Sequence, residues 1–508
     1  MTDVVQEVGV NELVRCLDRY EAKTVREELA NAGKRFNSTL LLFDLIRSDR
    51  SGDVAENKKK AEGQGITQYY RTAARLHTLV EDHLKQVLLN SDSVDAKLWH
   101  VQSQVSVYWK KGFKEYALAQ VRAGIEKLVL EDHPEHVLAL LVEEQRMIRS
   151  ANFDRREERH ANYRSERNAA LKIIENREAI NDLSEEAYLL RKKYHSATHP
   201  EIESKVQKIL TDPLLQNEIS ALSFTARIRW HVALGFCYSM LQNCERTIYH
   251  LKSVVQIWQN RPDQQILKPR TYQQAIINYL SECVKYEVDE DIEKYYCEAE
   301  SIPIKDKTEA AAGFYFLSSF WLFYLMNNRP MDAGKEFAKT VEEGLTRHKG
   351  YLSDSALTVI QFNLADLMYL SDNLKESIRL FQVVAHKKTT VRKDLIGTAK
   401  MMVMLLEFDR ENSVYLESLN KEARRYFKTN PEVDNLNAIV YEFIGKMLSI
   451  VKSEEKGVID MLELRFKELV KDKGEVLGLE EVQIWLEGRR SGKTYGKVWM
   501  DKLAEKSS

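Results

Sequence analysis

Glycine and proline are scarce in this chain of 508 residues, 20 and 8 respectively, together under half of the roughly 12% that an average protein carries. That scarcity excludes collagen-like and low-complexity classes, and it argues against an all-β chain, which needs a turn signal about every 8–12 residues. A net charge of one sign is also missing. Lys and Arg total 75 against 77 Asp and Glu, a formal charge of −2, so no global positive field exists to hold phosphate backbones or an anionic membrane. Nucleic-acid binding is therefore not expected. Paired cysteines are lacking too: Cys16, Cys237, Cys244, Cys283 and Cys297 form no CxxC and no zinc spacing, which predicts buried packing thiols and no metal. The first twenty residues have no basic end followed by an apolar stretch, and with the cysteine usage this predicts a reduced, cytoplasmic protein without a secretion signal.

Long hydrophobic runs are absent with one exception. Ala310 to Met326 contains no charge and is 17 residues long, at the lower limit of about 17–25 for crossing a bilayer. It falls in register with its neighbours, so it predicts an all-round buried helix and no membrane insertion.

What is present is helical material: 44% apolar and 30% charged residues with few breakers. From Trp230 onward the pattern repeats. A large residue preceded four places back by a smaller or polar one occurs at Thr247/Leu251, Asp291/Tyr295, Ala333/Phe337 and Ser377/Phe381, a period of 42–44 residues. Seventeen residues before these anchors stand Leu234, Asn278, Phe320 and Leu364, which makes each unit a helix, a short turn and a second helix. Asn278 and Asp291 fit worst. The stretch 108–128 reads the same way, with Ala117 as the small residue and Val121 as the anchor.

The best copies, residues 363–385 and 234–255, resemble tetratricopeptide repeats, with the Leu-Gly-x-x-Tyr of the first helix at Leu234, Gly235 and Tyr238. The departure is length, since the family unit is about 34 residues. The order of the NELV helix, the LLLFDLIR helix and the YYRTAARLHTLV helix, taken with the repeats, resembles an uncharacterised family of bacterial helical-repeat proteins. These resemblances imply an all-α fold, a right-handed α-solenoid of antiparallel helix pairs. The expected organisation is an N-terminal helical cap (1–47), a linker or loop (48–65), the repeat array (66–480), and a C-terminal capping helix and tail (481–508). The mixed charges of 152–193 read as a solvated helix face.

Candidate chemistry is thin. Gly488 to Thr494 (GRRSGKT) resembles a phosphate-binding loop but has three residues between its glycines instead of four, and it follows no strand. His195 and His199 are followed at once by Pro200, and His133-Pro134-Glu135-His136 reads as a helix start, so neither pair is a metal site. No catalytic residue, cofactor or metal is expected. The resemblance implies ligand contact along the first helices. A Lys/Asn carboxylate clamp is missing there, because the matching pairs are Val232/Phe236, Ile276/Leu280, Ser318/Leu322 and Phe362/Asp366, which disfavours acidic chaperone tails. The expected surface is an apolar, aromatic groove including Phe236, Tyr272, Tyr315 and Phe362, with Asp366 beside them. The function it suggests is a non-catalytic protein- or peptide-binding scaffold. Alternatives are a ligand- or peptide-sensing regulator on the same solenoid, or an all-helical enzyme.

Overall fold

The computed structural model describes residues 10–17, 19–49, 54–89, 93–150, 156–194, 197, 199–288, 292–328, 330–387, 392–410, 413–429, 435–449, 454–473 and 477–506. Among the described residues all regular structure is helical and there is no strand, as the composition predicts. The chain divides into two compact units, residues 1–176 and 177–508, and the division falls inside the helix Arg156–Tyr194. The repeat pattern gives no sign of this division.

Unit 1 begins with α1 (10–16), α2 (Arg19–Asn31), α3 (Asn37–Ser48), α4 (Val54–Gly63) and α5 (Tyr69–Leu89). The Asn31-Ala32-Gly33 stop works as read: Gly33 adopts φ +85°, a left-handed conformation that ends α2 without the clash a Cβ brings. Two expectations are corrected here. Residues 54–63 are helical where a linker or loop was expected, and the helix is tied down by Asn57, whose amide donates to the nearly buried Asp49 carboxylate at 3.2 Å beside Arg15 at 2.6 Å. The cap also runs past residue 47, because Tyr69, Ala73, Leu76 and Val80 of α5 share one core with Val14, Leu42 and Ile46. A polar, Gly-containing segment conceals this, since only its buried side carries the signal.

A second core in unit 1 joins α6 (Val94–Lys110), α7 (Lys114–Leu130), α8 (Pro134–Ser150) and the start of α9 (Arg156–Tyr194). Ala117 and Val121 are fully buried in it, where the repeat register places them. Arg122 of α7 bridges Glu144 of α8 at 2.6 Å and Glu166 of α9 at 2.7 Å, so part of the mixed-charge stretch is an ion-paired contact.

Unit 2 continues from the end of α9 through α10 (Pro200–Leu210), α11 (Phe224–Met240), α12 (Cys244–Gln259), α13 (Pro262–Leu267), α14 (Pro269–Lys285), α15 (Ile292–Ser301), α16 (Lys307–Asn328), α17 (Pro330–His348), α18 (Asp354–Leu370) and α19 (Leu374–Ala385). It closes with α20 (Lys393–Asp409), α21 (Ser413–Thr429), α22 (Asn435–Met447), α23 (Glu455–Lys473), α24 (Leu479–Ser491) and α25 (Tyr495–Lys506). Sequence neighbours pack together, α11 on α12 and α18 on α19 most extensively.

The turns between paired helices share one geometry. Gln242 (φ 56°) and Asp372 (φ 56°) are left-handed, and the next residue donates its N–H five residues back, Asn243 to Tyr238 at 3.0 Å and Asn373 to Met368 at 2.9 Å. Gly112, between α6 and α7, does the same, with Phe113 donating to Tyr108 at 3.0 Å. This double-bonded helix end satisfies carbonyls that a helix otherwise leaves unpaired, and it reverses the chain within three residues. Nine residues after each of these three turns stand the buried anchors Val121, Leu251 and Phe381. Leu251 packs on Gly235, where a Cβ would come within 2.9 Å of its Cδ2, which is the close approach the small residue permits. The other anchors, Tyr295 and Phe337, are half-buried, and their small partners fall differently: Asp291 is outside the described residues.

Among the described residues no helix is long and apolar enough to cross a membrane. The apolar segment forms the middle of α16, yet it is not buried all round: Phe316 and Phe323, seven residues apart, are exposed because α14, α17 and α18 leave that stripe uncovered. The C-terminal stretch is no tail. The Trp499 indole of α25 donates to the Met326 carbonyl at 2.6 Å, and Gly496 N–H and the Thr494 hydroxyl both donate to Asp372, at 2.9 and 2.7 Å.

Candidate functional site

Five helix pairs begin with α11, α14, α16, α18 and α20, and on two of these first helices the face is open. The side chains of α11 and α14, with the end of α9 and Phe316 of α16, line a groove of about 630 Å³. Local capping fixes its walls. The Ser223 hydroxyl accepts the Ala226 N–H at 3.1 Å to start α11, and Pro269 starts α14 where its missing N–H is harmless. Trp258 of α12 forms the floor, edge-on to Phe224 at 5.0 Å between ring centres. Val232 and Phe236 continue it, Phe236 only 5% exposed. Tyr188 and Phe316 stand at the rims with 42% and 41% exposure.

The end of α9 is held by a buried charge. Glu282 of α14 is ion-paired with Arg191, accepts the Ser239 hydroxyl at 2.9 Å and lies 3.5 Å from Lys285, so its carboxylate is fully compensated, as a buried charge must be. Arg191 at the same time stacks its guanidinium over Phe236 at 4.7 Å.

Along the groove side of α14 runs a directional hydrogen-bond chain. Arg270 donates to Gln274 Oε1 at 2.8 Å, and Gln274 Nε2 donates to Asn278 Oδ1 at 2.9 Å. Arg270 also lies over the Phe316 ring at 5.2 Å, and burial lowers its pKa below the usual guanidinium range. Arg229 of α11 is exposed in the groove, and Glu185 is the acidic side chain on its lining.

Of the five residues singled out from sequence, the structure brings Phe236 into this groove. Tyr315 is not on the groove lining: it is half-buried against the core that holds α18 and α20, with its ring 4.9 Å from that of Phe316. Tyr272 is buried and donates its hydroxyl to Glu298 on α15; burial and that carboxylate push its phenol up. Phe362 is buried edge-on to Phe381 at 5.5 Å. The Asp366 carboxyl lies against Glu481 of α24, and burial first, then the Glu481 charge, holds its pKa well above the carboxylate range. Sequence reasoning missed Tyr188, Arg191, Arg229, Asn278 and Phe316. One signal was there: Asn278 was a misfit in the repeat register, and it ends a polar row at Arg270, Gln274 and Asn278 on a largely apolar helix.

The remaining motifs settle into structural roles. Gly492 has φ +68° and donates its N–H to the Gly488 carbonyl at 2.9 Å, closing α24, while Lys493 pairs with Asp501 at 2.9 Å. His199 precedes Pro200 at the start of α10, and His195 lies outside the described residues. Among the described residues no group of three or more His, Cys, Asp or Glu side chains could hold a metal. No protein family, curated protein or solved structure matches the chain.

Proposed function

We propose that this chain is a non-catalytic scaffold that binds a protein or peptide segment on the first-helix face of a tetratricopeptide-like right-handed α-solenoid, in the groove between α9, α11, α14 and α16. The cytoplasm is the compartment this reading assigns, and bacterial helical-repeat proteins are the group. The observation that carries it is the pair of half-exposed rings, Tyr188 and Phe316, standing over an apolar floor that, among the described residues, no other helix of the unit covers. Partly exposed aromatic anchors around a concave apolar site are where binding energy concentrates in protein interfaces. The turn geometry shared by three helix pairs supports the repeat reading.

The test is photo-crosslinking from Thr271, which is exposed on the groove lining. A partner captured by the wild-type surface and lost in a folded Tyr188→Ala/Phe316→Ala variant supports the proposal. Capture that ignores both changes, or no capture at all, refutes it.

A further inference from the structure

We infer that the occupant of this groove is an acidic, extended segment of a partner protein that carries a large apolar side chain among its carboxylates. The inference rests on the groove being the binding site, and it adds the sign of the ligand. It is carried by what the groove offers once its internal hydrogen bonds are made.

A guanidinium only donates, so Arg270 obliges Gln274 to turn its oxygen inward; Gln274 then presents its NH₂ group to Asn278, which must accept with Oδ1. The orientation of both amides is therefore fixed by chemistry rather than by atom assignment. The end of the chain is the Asn278 Nδ2 group, two N–H donors turned out to the groove with no acceptor among the described residues. Arg229 of α11, one helix away, adds five N–H donors and a full charge, and makes no hydrogen bond or ion pair among the described residues. Both acceptor oxygens of the α14 row are used within it. Lys268 stands on the same lining.

Of the charges around the groove, Arg191 is neutralised by Glu282, and Glu185 is the carboxylate on the lining that faces the same space as Arg229. A basic segment would meet Arg229 as a like charge and, among the described lining residues, would find one carboxylate, Glu185, to pair with. An acidic segment satisfies Arg229 and Asn278 with charge-assisted bonds. An apolar side chain between its carboxylates then covers Val232, Phe236 and Trp258 between the rims of Tyr188 and Phe316. None of the four pairs at the positions of a terminal clamp, Val232/Phe236, Ile276/Leu280, Ser318/Leu322 and Phe362/Asp366, carries a Lys or an Asn. The donors come instead from Arg229 and Asn278, so the site reads carboxylate side chains within a chain and needs no free terminus.

The experiment uses the full-length protein and three fluorescein-labelled nonapeptides in which Phe alternates with Glu, with Gln or with Lys, read by fluorescence anisotropy at low and high salt. The Glu peptide is expected to bind roughly tenfold more tightly than the Gln peptide, and its affinity to fall roughly tenfold in Arg229→Glu and in high salt. Asn278→Asp should weaken it similarly, while Lys421→Glu, an exposed change on α21, leaves it unaltered. Circular dichroism and melting confirm that each variant is folded. Equal binding of the Glu and Gln peptides, tighter binding of the Lys peptide, or indifference to Arg229→Glu overturns the acidic assignment. If no peptide binds while crosslinking from position 271 still captures a partner through Tyr188 and Phe316, the acidic assignment falls and the groove stands. If both fail, the groove falls as well.

Discussion

Acidification should weaken unit 2 through one pair of histidines. His231 of α11 and His250 of α12 face each other with their Nδ1 atoms 3.0 Å apart, and they are 2% and 8% exposed. That bond needs one N–H and one lone pair, so a single proton is shared and a second has no place. Tyr238 stacks on His250 with its plane only 6° away, and Trp230 closes on His231 edge-on. Burial, then the neighbouring His231 and Arg246, pulls the His250 pKa from 6.5 down to about 4. His231 is also lowered by burial, although Glu218 at 3.6 Å pulls the other way and Arg227 adds to the lowering. A histidine whose folded pKa is depressed contributes its full stability above 6.5, and loses it as pH falls from there through 4, because the unfolded chain takes up the proton first. At 1.36 kcal/mol per pH unit, the stretch from 6.5 to 5 amounts to about 2 kcal/mol, and the whole window to about 3 kcal/mol.

The assay is urea unfolding at pH 7.5 and pH 5.0 for the wild type and for His250→Phe, which keeps the stack on Tyr238 and removes the titration. The variant should start about 1–2 kcal/mol less stable at pH 7.5, since His231 loses its partner. Its further loss on going to pH 5.0 should be smaller than the wild type's by about 2 kcal/mol. Carboxylates elsewhere titrate in both proteins and cancel in the difference. Equal losses in the two proteins would refute the reasoning, and would mean that the pair is hydrated or already open at neutral pH.

Other outcomes follow from packing. Phe381→Ala should lower stability by about 3–5 kcal/mol, whereas Phe337→Ala, at a half-buried anchor, should lose only about 1–2 kcal/mol; denaturant titrations giving equal losses would break the ranking. Gly235→Ala should cost about 1–2 kcal/mol, because its Cβ meets Leu251 Cδ2 at 2.9 Å, and an unchanged melting temperature would show that Leu251 can move aside. Asp366→Asn should melt higher than the wild type at pH 8, with the gap closing by pH 4. The raised folded pKa means the wild type loses stability as pH rises past the unfolded value, and the amide has no such loss; a gap that persists at pH 4 would sink this account.

How far the sequence could be read depended on whether a residue's role is local. The all-helical class followed from the shortage of glycine and proline, and the anchors Val121, Leu251 and Phe381 followed from spacing, because a helix pair is specified by positions within one unit. The 42–44-residue anchor spacing corresponds to first helices of 17 to 22 residues, α14, α16 and α18, with the short α13 inserted before α14. Phe362 and Asp366 were misjudged. Asp366 is buried against Glu481 of α24, more than a hundred residues away, which no period reveals, and Phe362 is packed edge-on against Phe381 within its own helix pair. Arg191 was hidden in a run of mixed charge whose solvated appearance gave no hint of the buried Glu282 that fixes it. The helix at 54–63 was hidden by a polar surface, with Asn57 and Ala61 buried among its described side chains.

The difference between the two stretches of first-helix face explains why one groove, rather than a long continuous one, is available. On α18 and α20 that face is covered by the chain's own C-terminal helices: Tyr369 donates its hydroxyl to the Glu481 carbonyl at 3.1 Å and stacks near Tyr495, and the Trp485 indole donates to Asp409 at 2.7 Å. Met401, Met402 and Leu405 of α20 share a core there with Val482 and Trp485 of α24. This shield extends over two helix pairs, those that begin with α18 and α20. On α11 and α14 the nearest cover is the end of α9. That helix meets the face through Arg191 and Tyr188, with one salt bridge to Glu282 and one stack on Phe236, and it leaves Val232, Trp258 and Asn278 lining an open space. The first-helix face therefore serves two ends within one unit. Where α24 and α25 lie on it, the apolar face is core, and Phe362 is a packing residue. Where only the end of α9 touches it, the face keeps exposed rings and unanswered donors, and the energetic cost of that exposure is what a bound segment would remove.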